Sequence, residues 1–124
     1  MGPECRAMLF CESVLTDRIG KRYIIGEFAG LLIEEFPLVM PMFTVYLVLS
    51  GGRGIMPIHL RAVCMDSDEV LIEADGEARF ETALVVARSW IEMPGIEFPR
   101  AGTYSFVVQC GELCAERKLE LVRA

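Results

Sequence analysis

No two cysteines of this chain stand at the CxxC spacing that zinc and redox centres favour, and a single histidine, His59, is available to join them. A metal centre of the usual thiolate and imidazole pairs is therefore not expected, and no cofactor is. Long uncharged apolar runs are missing as well. The greasiest stretch, FAGLLIEEFPLVMPMFTVYLVL, is interrupted by Glu34, Glu35, Pro37 and Pro41, so it cannot cross a bilayer as one helix. Basic clustering is absent too. The formal charge is −6, from 18 acidic and 12 basic residues, and Arg6, Arg18, Arg53, Arg79 and Arg100 lie scattered. Nucleic acid and anionic membrane surfaces, which draw together Lys and Arg on one face, are not expected partners.

The N-terminal MGPECRAML has no basic region followed by an apolar run and a small-residue cleavage site, and Arg6 stands where myristoylation wants Ser or Thr. With no secretion signal and an odd number of cysteines, five, the thiols are expected to be reduced and the protein cytoplasmic.

What the chain has is β-forming residues. Its 124 residues suffice for one domain with one core, and 53% of them are apolar. These come in short runs punctuated by Gly and Pro. Part of this apolar excess is expected to lie against a protein partner, a homodimer being the first candidate.

Alternation with period two is the dominant signal. Residues 5–13 predict a first strand, with Arg6, Met8 and Phe10 on one face and Ala7, Leu9 and Cys11 on the other. Arg22 to Phe28 predicts a second, after the turn TDRIGK. EEFPLVMP reads as a proline-bounded connection, Phe43 to Ser50 as a third strand, and GGRG as a flexible loop. In the fourth strand, Ile58 to Met65, the residues Ile58, Leu60, Ala62 and Cys64 face away from His59 and Arg61. After DSDE a fifth strand alternates Val70, Ile72, Ala74, Ala78 and Phe80 with Glu73, Asp75, Glu77 and Arg79, as in a sheet wet on one face. The run Ala83 to Ile91, with Trp90, reads as strand or short helix.

The last two strands are set by register. Tyr104, Phe106, Val108 and Cys110 share one face, as do Leu113, Ala115, Leu119 and Leu121. Cross-strand partners point to the same side of a sheet. A two-residue loop, Gly111-Glu112, makes the two apolar sets coincide, whereas a three-residue loop drives them to opposite faces. Gly in first place suits a type II′ turn. Cys110 should then point in and Cys114 out, so the pair does not share a ligand.

About eight short strands with regular turn signals predict an all-β, immunoglobulin-like antiparallel sandwich. RAGTYSF adds a tyrosine-corner-like element at Tyr104, with Phe106 where an antibody domain places its second disulfide cysteine. The pieces MLFCESV, GKRYIIGEFAG, EFP and IEFPRAGTYSFVV, in that order, resemble a bacterial family of small stand-alone all-β proteins classed as a domain of unknown function. The resemblance implies the fold and no activity.

Three sets of residues invite chemistry. Asp66, Asp68 and Glu69 lie at a turn where a calcium-dependent binding module would place carboxylates. Cys114 or His59 would serve a thiol- or metal-dependent enzyme. Cys5 and Cys11 share a face but lie roughly 20 Å apart on a regular strand, too far for one metal. Each of these features also has a plain role, as polar turn, wet face or core. The better expectation is a non-catalytic protein-interaction or self-associating module that uses an edge strand or the segment of Phe36, Leu38, Val39, Met40 and Met42, which cannot all point inward. Trp90 and Phe98 are expected to pack under the Tyr104 corner or to anchor a partner.

Overall fold

The computed structural model describes residues 2–82 and 85–124, and among them there are twelve strands and no helix. In chain order these are β1 (Glu4–Cys11), β2 (Ser13–Thr16), β3 (Arg22–Ile25), β4 (Gly30–Ile33), β5 (Leu38–Met40), β6 (Thr44–Ser50), β7 (Gly54–Cys64), β8 (Glu69–Phe80), β9 (Ala87–Glu92), β10 (Ile96–Phe98), β11 (Gly102–Cys110) and β12 (Leu113–Arg123). Two sheets make the sandwich, a three-stranded one in the order β1-β6-β9 and a five-stranded one in the order β4-β12-β11-β7-β8. Two ribbons, β2-β3 and β5-β10, complete it.

Most of the alternating residues predicted to point inward do so, but Val70, set opposite Val63 by a register shift, is 46% exposed. Phe43, just before β6, and Val45, Leu47 and Leu49 of β6 meet Ile58, Leu60, Ala62 and Cys64 of β7, and Tyr104, Phe106, Val108 and Cys110 of β11, all buried. Aromatic rings join the sheets at the centre. Phe106 lies parallel to Phe43 at 5.2 Å between ring centres and tilted to Phe10 at 4.9 Å. Such pairs add about 0.5–1.5 kcal/mol each beyond the area they bury.

The β11–β12 hairpin has the two-residue register: Cys110 pairs with Leu113, Val108 with Ala115 and Tyr104 with Leu119. Gly111 takes a φ of +60°, and Asp68 is the only non-glycine with positive φ among the described residues, so the turn is type II′. The corner is present as well. The Tyr104 hydroxyl donates to the Arg100 carbonyl at 2.6 Å and accepts the Arg100 N–H at 3.3 Å. Phe98 packs edge-on against that ring at 5.0 Å.

Several expectations are corrected. The strands number twelve among the described residues, because β2, β4, β5 and β10 are only three or four residues long; β5 sits inside the stretch read as a connection and β4 lies just before it. The sandwich is not wholly antiparallel: β4 runs parallel to β12. A bulge between Cys5 and Ala7 turns Cys5 toward the core beside Leu49, while Cys11 pairs with Thr44 on the other side of the sheet, so the two thiols do not share a face. The GGRG loop is packed at Gly52, where an added Cβ would fall within 2.3 Å of the Phe80 ring. Ala87–Glu92 of the ambiguous run is strand, and residues 83 and 84 lie outside the described residues. Trp90 does not reach the corner. It stacks on Tyr46 at 6.1 Å, on the outer face of the three-stranded sheet.

Candidate interaction surface

The chemistry-bearing residues named from sequence do not converge. Cys110 is buried and Cys114 exposed, on opposite sides of the hairpin. Burial pushes the thiols of Cys5, Cys11 and Cys110 above the ordinary range. His59 sits on the wet face of the five-stranded sheet between two carboxylates, its Nδ1 2.9 Å from Asp75 Oδ1 and its Nε2 2.9 Å from Glu73 Oε1. The two contacts lie on opposite sides of the ring, so they cannot close on one metal ion. They favour the protonated imidazole and raise its pKa, Asp75 foremost. In the β7–β8 turn, Asp68 adopts a φ of +58° and its N–H donates to the Cys64 carbonyl at 2.9 Å. Among the described residues no three His, Cys, Asp or Glu side chains are grouped so as to hold a metal.

The Phe36–Met42 segment is divided by its own strand. β5 pairs antiparallel with β10, Leu38 opposite Phe98 and Met40 opposite Ile96. Phe36, Leu38 and Met40 lean half-buried against the core, while Val39 points outward with 53% of its surface exposed. Met40 and Met42 also line a shallow groove of about 220 Å³ with Glu12 and Pro41.

More apolar surface lies just upstream, on β4. In the parallel ladder Leu32 stands beside Val122 of β12, and they are 74% and 48% exposed. The Ala124 N–H donates to the Ile33 carbonyl at 2.9 Å, which fixes Ile33 and Leu31 as the residues whose backbone faces β12. Alternate residues of a strand turn their N–H and C=O groups to opposite neighbours. Leu32 therefore presents both backbone groups, together with its exposed side chain, at the free edge of the sheet.

The edges at β1 and β8 are guarded. Arg117 points inward from β12, lies over the Phe10 ring at 5.3 Å and donates to the Met8 carbonyl on the edge strand β1. Ser89 Oγ donates to the Glu77 carbonyl of the edge strand β8 at 2.8 Å, and Glu73, Asp75, Glu77 and Arg79 line that strand with charge. Inward charges and charged edges are ways of discouraging strand addition. Gly30-Leu31-Leu32-Ile33 has none.

Sequence reasoning missed Leu32 because four small or apolar residues in a row carry no period to separate inside from outside. The signal was there in another form, a short apolar run bounded by Gly30 and by Glu34-Glu35. Arg117 was missed because it interrupts an otherwise apolar face.

No helix among the described residues is long and apolar enough to cross a membrane. No curated protein matches the sequence. The model of a family of unknown function, DUF6941, matches residues 6–121. With nearly its whole length matched, and with the all-β sandwich the sequence implied, the chain belongs to that family of unknown function.

Proposed function

We propose that this protein is a non-catalytic interaction module that self-associates through its edge strand β4, flanked by the Phe36–Met42 segment. The observation that carries this reading is Leu32, whose side chain and both backbone groups face outward on an unguarded edge. Addition of a strand to a free edge supplies hydrogen bonds along the backbone and specificity through alternate side chains. A second copy fits by symmetry. Antiparallel pairing about a two-fold axis, with Leu32 opposite the partner's Leu32, lets that residue exchange both hydrogen bonds with its copy. The outer face then carries one row: Val122, Leu32, the partner's Leu32 and the partner's Val122. The odd number of free thiols supports a reducing, cytoplasmic setting for such an assembly.

The magnitude is modest. Fully burying an exposed Leu or Val is worth about 1.5–3 kcal/mol, against an association cost of about 4–15 kcal/mol, so the dimer should be weak. Sedimentation velocity across a wide concentration range should show a reversible monomer–dimer equilibrium, and Leu32→Lys should leave only monomer without changing the melting temperature. A strict monomer at the highest concentration, or a dimer indifferent to Leu32→Lys, would show the proposal to be wrong.

A further inference from the structure

The outer face of the three-stranded sheet is covered by the β2–β3 ribbon. By register Leu9, Tyr46 and Trp90 lie side by side on that face, yet Tyr46 is only 2% exposed. The ribbon lies over it. The Arg22 guanidinium sits 5.6 Å from the centre of the Trp90 ring, and Gly20, Lys21, Arg22 and Ile24 line a crevice of about 360 Å³ with Tyr46 and Arg88.

Two guanidinium groups, Arg22 and Arg88, thus flank one opening in a chain whose net charge is −6, with Lys21 at its rim and the Lys21 ammonium over the Tyr23 ring at 5.7 Å. Among the described residues no carboxylate lies within 4.0 Å of the side-chain nitrogens of Lys21, Arg22 or Arg88. Asp17, the acid nearest to them in the ribbon, is already committed. Its Oδ1 accepts the N–H groups of Ile19 at 3.0 Å and Lys21 at 2.9 Å, and its Oδ2 accepts the Tyr23 hydroxyl at 2.9 Å.

The guanidinium groups are positioned and largely unspent. Arg22 is held by Trp90 and by one bond to the Gly20 carbonyl at 2.7 Å, and Arg88 by one bond to the Tyr46 hydroxyl at 3.1 Å. A guanidinium carries five N–H donors, so several on each remain for a ligand. Held together around one opening, like charges repel, and an anion between them removes that repulsion.

We propose that this crevice binds the phosphate group of a small molecule. A phosphate dianion offers several acceptor oxygens and a charge that the two guanidinium groups can share, and fixed arginine forks suit its geometry. Ile24 and Tyr46 supply an apolar wall for the rest of the ligand. One compact crevice, rather than a basic stripe, fits a single group and not a nucleic-acid backbone.

Trp90, the only tryptophan, lies beneath Arg22 and reports on the site. Titrating the full-length chain with inorganic phosphate at constant ionic strength should change Trp90 fluorescence saturably and raise the melting temperature. Phenyl phosphate in a parallel titration separates free phosphate from a phosphomonoester: tighter binding assigns the apolar wall to the ligand's body, and equal binding assigns the site to the phosphate alone. Arg22→Gln and Arg88→Gln should each weaken binding about tenfold or more as read by the melting temperature, while Arg61→Gln on the other sheet should not. The proposal is overturned if chloride at matched ionic strength gives the same response, if phosphate gives none, or if the rise in melting temperature survives in the Arg22→Gln, Arg88→Gln double variant.

Discussion

Replacing Tyr104 with phenylalanine removes one oxygen atom and leaves the corner ring in place, edge-on to Phe98 at 5.0 Å. Two bonds go with that oxygen, the one donated to the Arg100 carbonyl at 2.6 Å and the one accepted from its N–H at 3.3 Å. The ring is wholly buried, and burial pushes the phenol above its usual range. A typical hydrogen bond contributes about 1 kcal/mol net, and a buried group left without a partner costs about 1–3 kcal/mol. The expected loss is about 2 kcal/mol. At about 2.1 cal/mol/K of unfolding entropy per residue, that lowers the melting temperature of a chain this size by about 8 °C. Urea titration followed by Trp90 fluorescence should show a lower midpoint with an unchanged slope. Because the bonds reach the backbone of Arg100, the same loss should appear in an Arg100→Ala background. A loss under about 0.5 kcal/mol, or one that vanishes without the Arg100 side chain, would refute the view that the hydroxyl holds the loop before β11.

His59 and the thiols give two further tests. Hydrogen bonds to Asp75 and Glu73 raise the histidine's pKa in the folded protein, so their stabilisation is complete below the unfolded value of about 6.5 and is lost as pH rises through the higher folded value. Urea midpoints measured across that window should fall with rising pH in the wild type and lose that part of the slope in His59→Gln; parallel curves would count against the carboxylate clamp. An aromatic disulfide reagent should label Cys114 first, with Cys11, Cys64 and Cys110 reacting only after unfolding, and several fast thiols would contradict the assigned burial.

Where two constraints meet in the sequence, the structure could be read from it. The hairpin register followed because only a two-residue loop brings Tyr104, Phe106, Val108 and Cys110 onto the side of Leu113, Ala115, Leu119 and Leu121. The corner followed from Gly102 and Tyr104 at the opening of a late strand. Single constraints were weaker. The bulge beside Arg6 leaves no mark in an alternating pattern, yet it shifts Cys5 to the core face. Gly30-Leu-Leu-Ile33 has no alternation at all, so its parallel partner, some ninety residues away along the chain, could be found only in three dimensions. The phosphate crevice depends on Arg22 of the β2–β3 ribbon and Arg88 of β9 meeting over the outer face of the three-stranded sheet, and scattered basic residues in sequence gave no hint of it.

That distant partnership also bears on how the protein comes to be made. β4 is residues 30–33, and the strand it completes against spans 113–123. At about 5–20 residues per second, a ribosome needs roughly 4–18 s to add the chain between them. β1, in contrast, finds β6 as soon as residue 50 is available, and the β2–β3 ribbon closes on itself earlier still. During that interval Leu31, Leu32 and Ile33 have no strand to join, and the apolar stretch from Gly30 to Met42 is open to whatever else is nearby. Other nascent copies on the same message carry the same stretch at the same stage. A chaperone that holds short apolar segments during synthesis would therefore be expected to leave this region last, when β12 arrives.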